Sequence, residues 1–117
     1  MNTIDIEKIT GINDVEGAIA HLHKHIAPSS AIQNALNFSQ QAHQSQYRKS
    51  GEPYIIHPVL VASIVANITG DEAMVIAALL HDVIEDTHIT IDEVARDYGD
   101  DVAHLVEGLT KIDTIRD

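Results

Sequence analysis

Four ionisable residues follow the apolar end of a predicted helix, where packing alone would not place them. The apolar run spans residues 73–80, and His81, Asp82, Glu85 and Asp86 come directly after it. Buried carboxylates are costly unless a positive group compensates their charge. Imidazole and carboxylate groups together are suitable ligands for a divalent metal ion. The segment therefore predicts a metal site at the end of this helix.

Helical spacing decides which of these side chains can act together. Positions four apart share one face of a helix, which pairs His81 with Glu85 and Asp82 with Asp86. His81 and Asp82 can reach one ion if the helix end borders a cavity, and the other two residues then lie about one turn further on. His57 is the expected third ligand, since it opens another predicted helix. The alternative is a histidine at the edge of the core, hydrogen-bonded to a backbone carbonyl.

The elements that position these residues are predicted to be helices. Hydrophobic residues make up 44% of the 117 positions, only 3% are aromatic, and aliphatic residues recur at helical spacing. Cap and stop signals predict five or six helices, which begin near residues 15, 31, 58, 72, 91 and 100. The fold class expected from this pattern is all-α, as one compact bundle.

The amino-acid composition excludes some kinds of metal site and some kinds of binding partner. Cysteine is absent, which excludes disulfides and a cysteine-ligated zinc site. The formal net charge of −11 argues against binding to a nucleic acid backbone. Arg48 and Lys49 form an adjacent basic pair that could bind an anionic small molecule or could simply be solvated. The three histidines at positions 21, 23 and 25 alternate, so a helix spreads them around its axis rather than converging them on one ion.

No segment of the sequence predicts membrane insertion. The longest apolar run, around residues 73–80, is much shorter than the roughly 20 residues that cross a bilayer. The first residues also lack the basic and then apolar pattern of a signal peptide. We therefore expect a cytoplasmic protein.

Three blocks of the sequence resemble one known family. They are residues 50–58, SGEPYIIHP; residues 77–87, AALLHDVIEDT; and residues 106–111, VEGLTK. In this order and spacing they are similar to the hydrolase domain of the bifunctional RelA/SpoT-type alarmone enzymes, a member of the HD superfamily of metal-dependent phosphohydrolases. The resemblance implies an HD-domain helical bundle, with residues 1–30 as an N-terminal extension containing one helix and residues 31–117 as a partial hydrolase domain.

The resemblance also implies roles around the metal. His57, His81 and Asp82 are expected to be three of the four ligands of one manganese ion, or of a similar divalent cation. Glu85 and Asp86 are expected to activate and orient the attacking water. No serine or cysteine nucleophile is evident beside them, which favours direct attack by water.

The same resemblance implies a substrate. Arg48 and Lys49, with Ser50 beside them, match the loop that binds the guanine base and phosphates of an alarmone. The implied reaction removes the 3′-pyrophosphate of guanosine tetra- or pentaphosphate, which gives GDP or GTP and pyrophosphate. Such an enzyme degrades the alarmone of the stringent response.

One ligand of the family pattern is missing from this sequence. The fourth ligand is an aspartate in a later Ala-Asp-Arg-x-His-Asn type motif, which does not occur here. We therefore expect an incomplete bundle, from a longer enzyme or a shortened relative, that self-associates through exposed apolar surface. Two alternatives remain: a catalytically inactive HD-type module that binds nucleotide or a partner, and another nucleotide phosphohydrolase of the HD superfamily.

Overall fold

The computed structural model describes the backbone of residues 10–86 and 88–116, and the side chains of residues 10–84 and 88–109. Within that part of the chain the regular secondary structure is six α-helices, without a β-strand, so the all-α prediction is confirmed. They are α1 Val15–His25, α2 Ser30–Ala42, α3 Ile56–Thr69, α4 Glu72–Asp86, α5 Ile91–Tyr98 and α6 Asp100–Arg116.

Three of the helices begin at side chains that cap them as the sequence predicts. The carboxylate of Asp14 accepts a hydrogen bond from the backbone of α1, and the hydroxyl of Ser29 does the same for α2. Thr90 accepts from the backbone N–H three residues later at the start of α5. Each contact satisfies one of the backbone donors that a helix leaves unpaired in its first turn.

Two helices end elsewhere than the sequence pattern predicts. The apolar stripe predicts that α2 continues to about Gln46, but the helix ends at Ala42. Ser45 then adopts a φ of 71°, in the left-handed region that interrupts a helix, and His43 Nδ1 lies 3.1 Å from Oε1 of Gln46. The pattern predicts that the last helix fades at residues 110–113, but α6 continues to Arg116, since no glycine or proline follows Gly108 to stop it.

The helix α4 lies at the centre of the bundle. It packs against α2, α3 and α6, while α1 packs against α3 and α5 against α6. Every residue from 75 to 80 is buried, and so are Ile56, Val59 and Leu60 on α3. Three neighbouring helices therefore fix the direction in which α4 delivers His81 and Asp82. No helix in the described ranges has the length and apolar character to cross a membrane.

A polar contact joins α1 to this core. Nδ1 of His21 lies 2.5 Å from the hydroxyl oxygen of the buried Ser63 on α3. The rings of His21 and His25 meet edge to face, with centroids 5.1 Å apart. Partial burial, together with the charges of His25 and Lys24, lowers the pKa of His21 below its usual value of 6.5.

The lowered pKa of His21 predicts a pH dependence of stability. The unfolded chain binds a proton at His21 more readily than the folded chain does. The stability that neutral His21 contributes to the folded state is therefore complete above pH 6.5, and it is lost as the pH falls toward the pKa of His21 in the folded state. We expect the free energy of unfolding to fall less between about pH 7.5 and about pH 5.5 in His21→Gln than in the wild type. Urea denaturation at both pH values measures this difference.

The exposed His88 supplies the matched control for this experiment. His88→Gln should keep the pH dependence of the wild type, because it removes a histidine outside the α1–α3 contact. If His21→Gln and His88→Gln gave the same pH dependence as the wild type, the assigned role of His21 would be wrong.

Candidate metal and nucleotide site

The last turns of α4 bring an imidazole and a carboxylate together. Nε2 of His81 lies 3.0 Å from Oδ1 of Asp82, and the two side chains are 20% and 15% exposed. Nδ1 of His81 faces the backbone carbonyl of Ala78 at 3.3 Å. This pair is the part of the predicted site that the described side chains assemble.

The pair fits a divalent cation in both donor type and spacing. Ligands about 2.1 Å from an ion lie about 3 Å apart when they occupy adjacent corners of an octahedron. A histidine that binds a metal through one nitrogen usually donates the other N–H to a backbone carbonyl or a carboxylate. The carbonyl of Ala78 is placed for that bond, which would leave Nε2 of His81 toward an ion.

The carboxylate of Asp82 is held from both sides. Its Oδ2 accepts a hydrogen bond of 2.8 Å from the hydroxyl of Tyr54, while Oδ1 faces His81. Burial opposes ionisation of this group, but the hydrogen bonds from His81 and Tyr54 outweigh it, together with the positive charge that His81 and His57 carry when they are protonated. The pKa of Asp82 is therefore below its usual value of 3.8, which keeps the group a carboxylate.

His57 lies near this pair but is engaged elsewhere. Nδ1 of His57 is 3.2 Å from Nη1 of Arg48. A guanidinium can only donate, so the neutral imidazole accepts at Nδ1 and carries its hydrogen on Nε2. Coordination through either nitrogen therefore requires Arg48 to leave that position. Among the side chains that the structure describes, no three histidine, aspartate or glutamate donors converge, and the three-ligand site stays a prediction.

A tight loop between α2 and α3 carries the basic pair. The backbone of Arg48 pairs with Glu52, and the N–H of Gly51 donates to the carbonyl of Arg48, both at 2.9 Å. Gly51 has a φ of 103°, which favours glycine at this turn. Lys49 and Ser50 are exposed at the tip, and the hydroxyl of Ser50 donates to the carboxylate of Glu52. The loop thus brings Arg48, but not Lys49 or Ser50, onto His57.

The two predicted catalytic carboxylates lie at the very end of α4. Glu85 and Asp86 belong to its last turn, but their side chains lie outside the described residues. Their catalytic roles therefore stay predictions.

Sequence reasoning missed Tyr54, whose hydroxyl reaches Asp82. Its position three residues before His57, in a chain with few aromatic residues, was the available signal.

An apolar groove borders the imidazole of His81. It lies between α3, α4 and α6, has a volume of about 160 Å³, and is lined by Val61, Val65, Met74, Ala77, Ala78, His81, Leu105 and Leu109. Met74 and Leu109 are each 37% exposed, and Ile68 on α3 is 76% exposed. The site thus has one polar side, formed by the loop, and one apolar side.

Comparison with known proteins identifies one family. The sequence model of the HD domain family matches residues 35–117. Over 103 residues, the chain is 46% identical to guanosine-3′,5′-bis(diphosphate) 3′-pyrophosphohydrolase of Aquifex aeolicus, covering 88% of this chain and 14% of that protein. The chain is 50% identical over 86 residues to a probable enzyme of the same name from Synechocystis, and the match covers 74% of this chain and 11% of that protein.

A relative with a different name matches the same region. The probable GTP pyrophosphokinase of Mycobacterium leprae is 42% identical over 107 residues, covering 89% of this chain and 14% of that protein. The chain therefore spans about one seventh of the length of these relatives, or less. The resemblance found in the three sequence blocks is confirmed by these matches.

Proposed function

This chain belongs to the HD domain family, and on that premise we propose that it hydrolyses the 3′-pyrophosphate of guanosine tetra- or pentaphosphate with the help of a divalent cation. The observation that carries the proposal is the Asp82 carboxylate, held between His81 and Tyr54 at the end of the central helix. The substrate class is suggested by the names of the relatives from Aquifex aeolicus and Synechocystis.

His81, Asp82 and His57 are the residues proposed to hold the cation, with Mn²⁺ as the favoured ion. Two imidazoles and a carboxylate suit Mn²⁺ but do not select it over related ions. A bound cation supplies Lewis-acid chemistry at this site, since it acidifies water and neutralises charge on phosphoryl oxygens. Anionic substrate near Arg48 would compete for its guanidinium, which would release Nδ1 of His57 from the contact at 3.2 Å.

Glu85 and Asp86 are proposed to handle the attacking water. Glu85 accepts a proton as the water oxygen bonds to the phosphorus of the 3′ ester, and Asp86 orients the water. The bond between that phosphorus and the 3′ oxygen breaks, the 3′ oxygen takes a proton from solvent to restore the 3′ hydroxyl, and pyrophosphate leaves. The products are GDP or GTP and pyrophosphate.

Arg48, Lys49 and Ser50 are proposed to bind the nucleotide. A guanidinium can bind a phosphate through two N–H groups and can also stack on a purine, whereas an ammonium acts as a point charge. The exposure of Lys49 and Ser50 at the loop tip leaves both accessible to a ligand. We also propose a cytoplasmic location without a nucleic acid partner; the net charge of −11 supports the latter.

One observation favours a second function. In the described part of the chain, no three histidine, aspartate or glutamate side chains converge on one point. A catalytically inactive module that binds an alarmone or a protein partner is therefore the alternative. A different nucleotide phosphohydrolase of the HD superfamily would also use His81 and Asp82. It would leave the match of residues 48–50 to the alarmone-binding loop unexplained.

Pyrophosphate release from guanosine tetraphosphate tests the proposed reaction. We expect release that requires Mn²⁺, stops on addition of EDTA, and falls by about a hundredfold or more in Glu85→Gln, because the general base is lost. Glu107→Gln, which changes an exposed carboxylate on α6, is the matched control and should retain activity. Folded protein that binds the nucleotide without releasing pyrophosphate would favour the inactive module.

We further propose that a second copy of the chain covers the apolar groove beside His81. Apolar surface of this kind is stabilised by burial against a partner. Light scattering should show a dimer whose dissociation increases in Met74→Lys, because a charge then faces the groove. Ala20→Lys, at an exposed position on α1, should dimerise like the wild type. A wild-type protein that stays monomeric as its concentration is raised would contradict self-association.

A further inference from the structure

The hydroxyl of Tyr54 makes a contact that the proposed roles do not use. It lies at the end of the loop between α2 and α3, and it donates to Oδ2 of Asp82 at 2.8 Å. The two residues are 28 positions apart in the sequence. The bond therefore joins two elements, the loop and the end of α4.

This bond decides how the carboxylate is oriented. A carboxylate can rotate about its last side-chain bond, and both of its oxygens accept hydrogen bonds. With Oδ2 fixed by Tyr54, Oδ1 is the oxygen that faces Nε2 of His81 at 3.0 Å. Without the hydroxyl, a largely buried oxygen would lose its donor and the rotation of the carboxylate would be less restricted.

The ring of Tyr54 is itself held in place. Its centroid is 4.8 Å from that of His43, which is 2% exposed at the end of α2. The backbone N–H of Tyr54 donates to the carbonyl of Gln46 at 2.9 Å. Because ring and backbone are both fixed, the hydroxyl can act as a rigid donor rather than following the carboxylate.

The loop that ends at Tyr54 also carries Arg48. Its two sides are joined by the bridge between Tyr47 and Pro53 and by the bond from the N–H of Arg48 to the carbonyl of Glu52. A displacement of Tyr54 would therefore also displace Arg48. One residue thus contacts a proposed metal ligand and supports the proposed nucleotide-binding loop.

We propose that Tyr54 is a positioning residue that orients the Asp82 carboxylate for a divalent cation and ties the Arg48 loop to it. The inference rests on the proposed function, since it assigns Asp82 as a ligand. The hydroxyl of Tyr54 would not touch the ion itself. Its bond to Asp82 is of the kind that holds a ligand in its orientation in metal sites.

Mn²⁺ binding to Tyr54→Phe tests this inference without relying on activity. The substitution removes the hydroxyl and keeps the ring that packs on His43. Titration followed by the electron paramagnetic resonance signal of free Mn²⁺ should show a dissociation constant raised by about tenfold to a hundredfold. Tyr47→Phe removes a hydroxyl from the same loop at a residue that is 66% exposed, and it should bind Mn²⁺ like the wild type.

Thermal unfolding of the metal-free proteins separates positioning from general support of the fold. A positioning role predicts weaker Mn²⁺ binding by Tyr54→Phe while the metal-free protein stays folded. Wild-type affinity in folded Tyr54→Phe would overturn the inference and leave the proposed function standing. A folded wild type that does not bind Mn²⁺ would overturn both. If Tyr54→Phe did not fold, Tyr54→Leu with wild-type affinity would also overturn the inference, since leucine has no side-chain hydrogen-bond donor.

Discussion

The site depends on a carboxylate that is mostly withdrawn from water. Asp82 is 15% exposed, and burial of a charge at this depth is unfavourable unless donors replace the lost water. His81 and Tyr54 supply those donors from two different elements, and His57 adds a favourable charge only when it is protonated. These partners keep the group ionised at neutral pH, so it is ready to bind a cation.

The fold makes this arrangement possible by burying α4 on three sides. Its residues 75–80 are all buried, so the next turn has little freedom to rotate. The start of α3 brings His57 close, and the loop before it brings Arg48 and Tyr54. Arg48 now lies against His57, where a ligand with phosphate groups could compete for it. Cation and nucleotide binding are therefore expected to favour each other, because both draw Arg48 away from His57.

The helices were largely predictable because their signals are local. Periodic apolar residues and the capping side chains of Asp14, Ser29 and Thr90 identify where helices begin. The helix α2 ends four residues earlier than the sequence pattern predicts. The left-handed conformation of Ser45 depends on contacts with other parts of the chain, and helix propensities do not include such contacts. The packing of α1 on α3 through His21 and Ser63 likewise joins residues 42 positions apart.

The sequence pattern placed His81 and Asp82 next to each other, but it did not contain the other contacts of the candidate site. The sequence pattern indicated His81 with Asp82, and the structure places these two side chains together. The sequence pattern could not indicate that Arg48 contacts His57 or that Tyr54 contacts Asp82, because those contacts depend on the path of the loop between α2 and α3. Tyr54 had no motif of its own beyond its place before His57. Long-range hydrogen bonds of this kind follow from tertiary packing rather than from spacing.

We propose that His57 and His81 both bind the cation that Asp82 is oriented to receive. Pulsed electron paramagnetic resonance of Mn²⁺ bound to the wild-type chain detects nitrogen nuclei coordinated to the ion. We expect coupling to two imidazole nitrogens, reduced to one in His57→Ala and in His81→Ala. Bound Mn²⁺ without any imidazole coupling would contradict it, because the ion would then lie away from the end of α4.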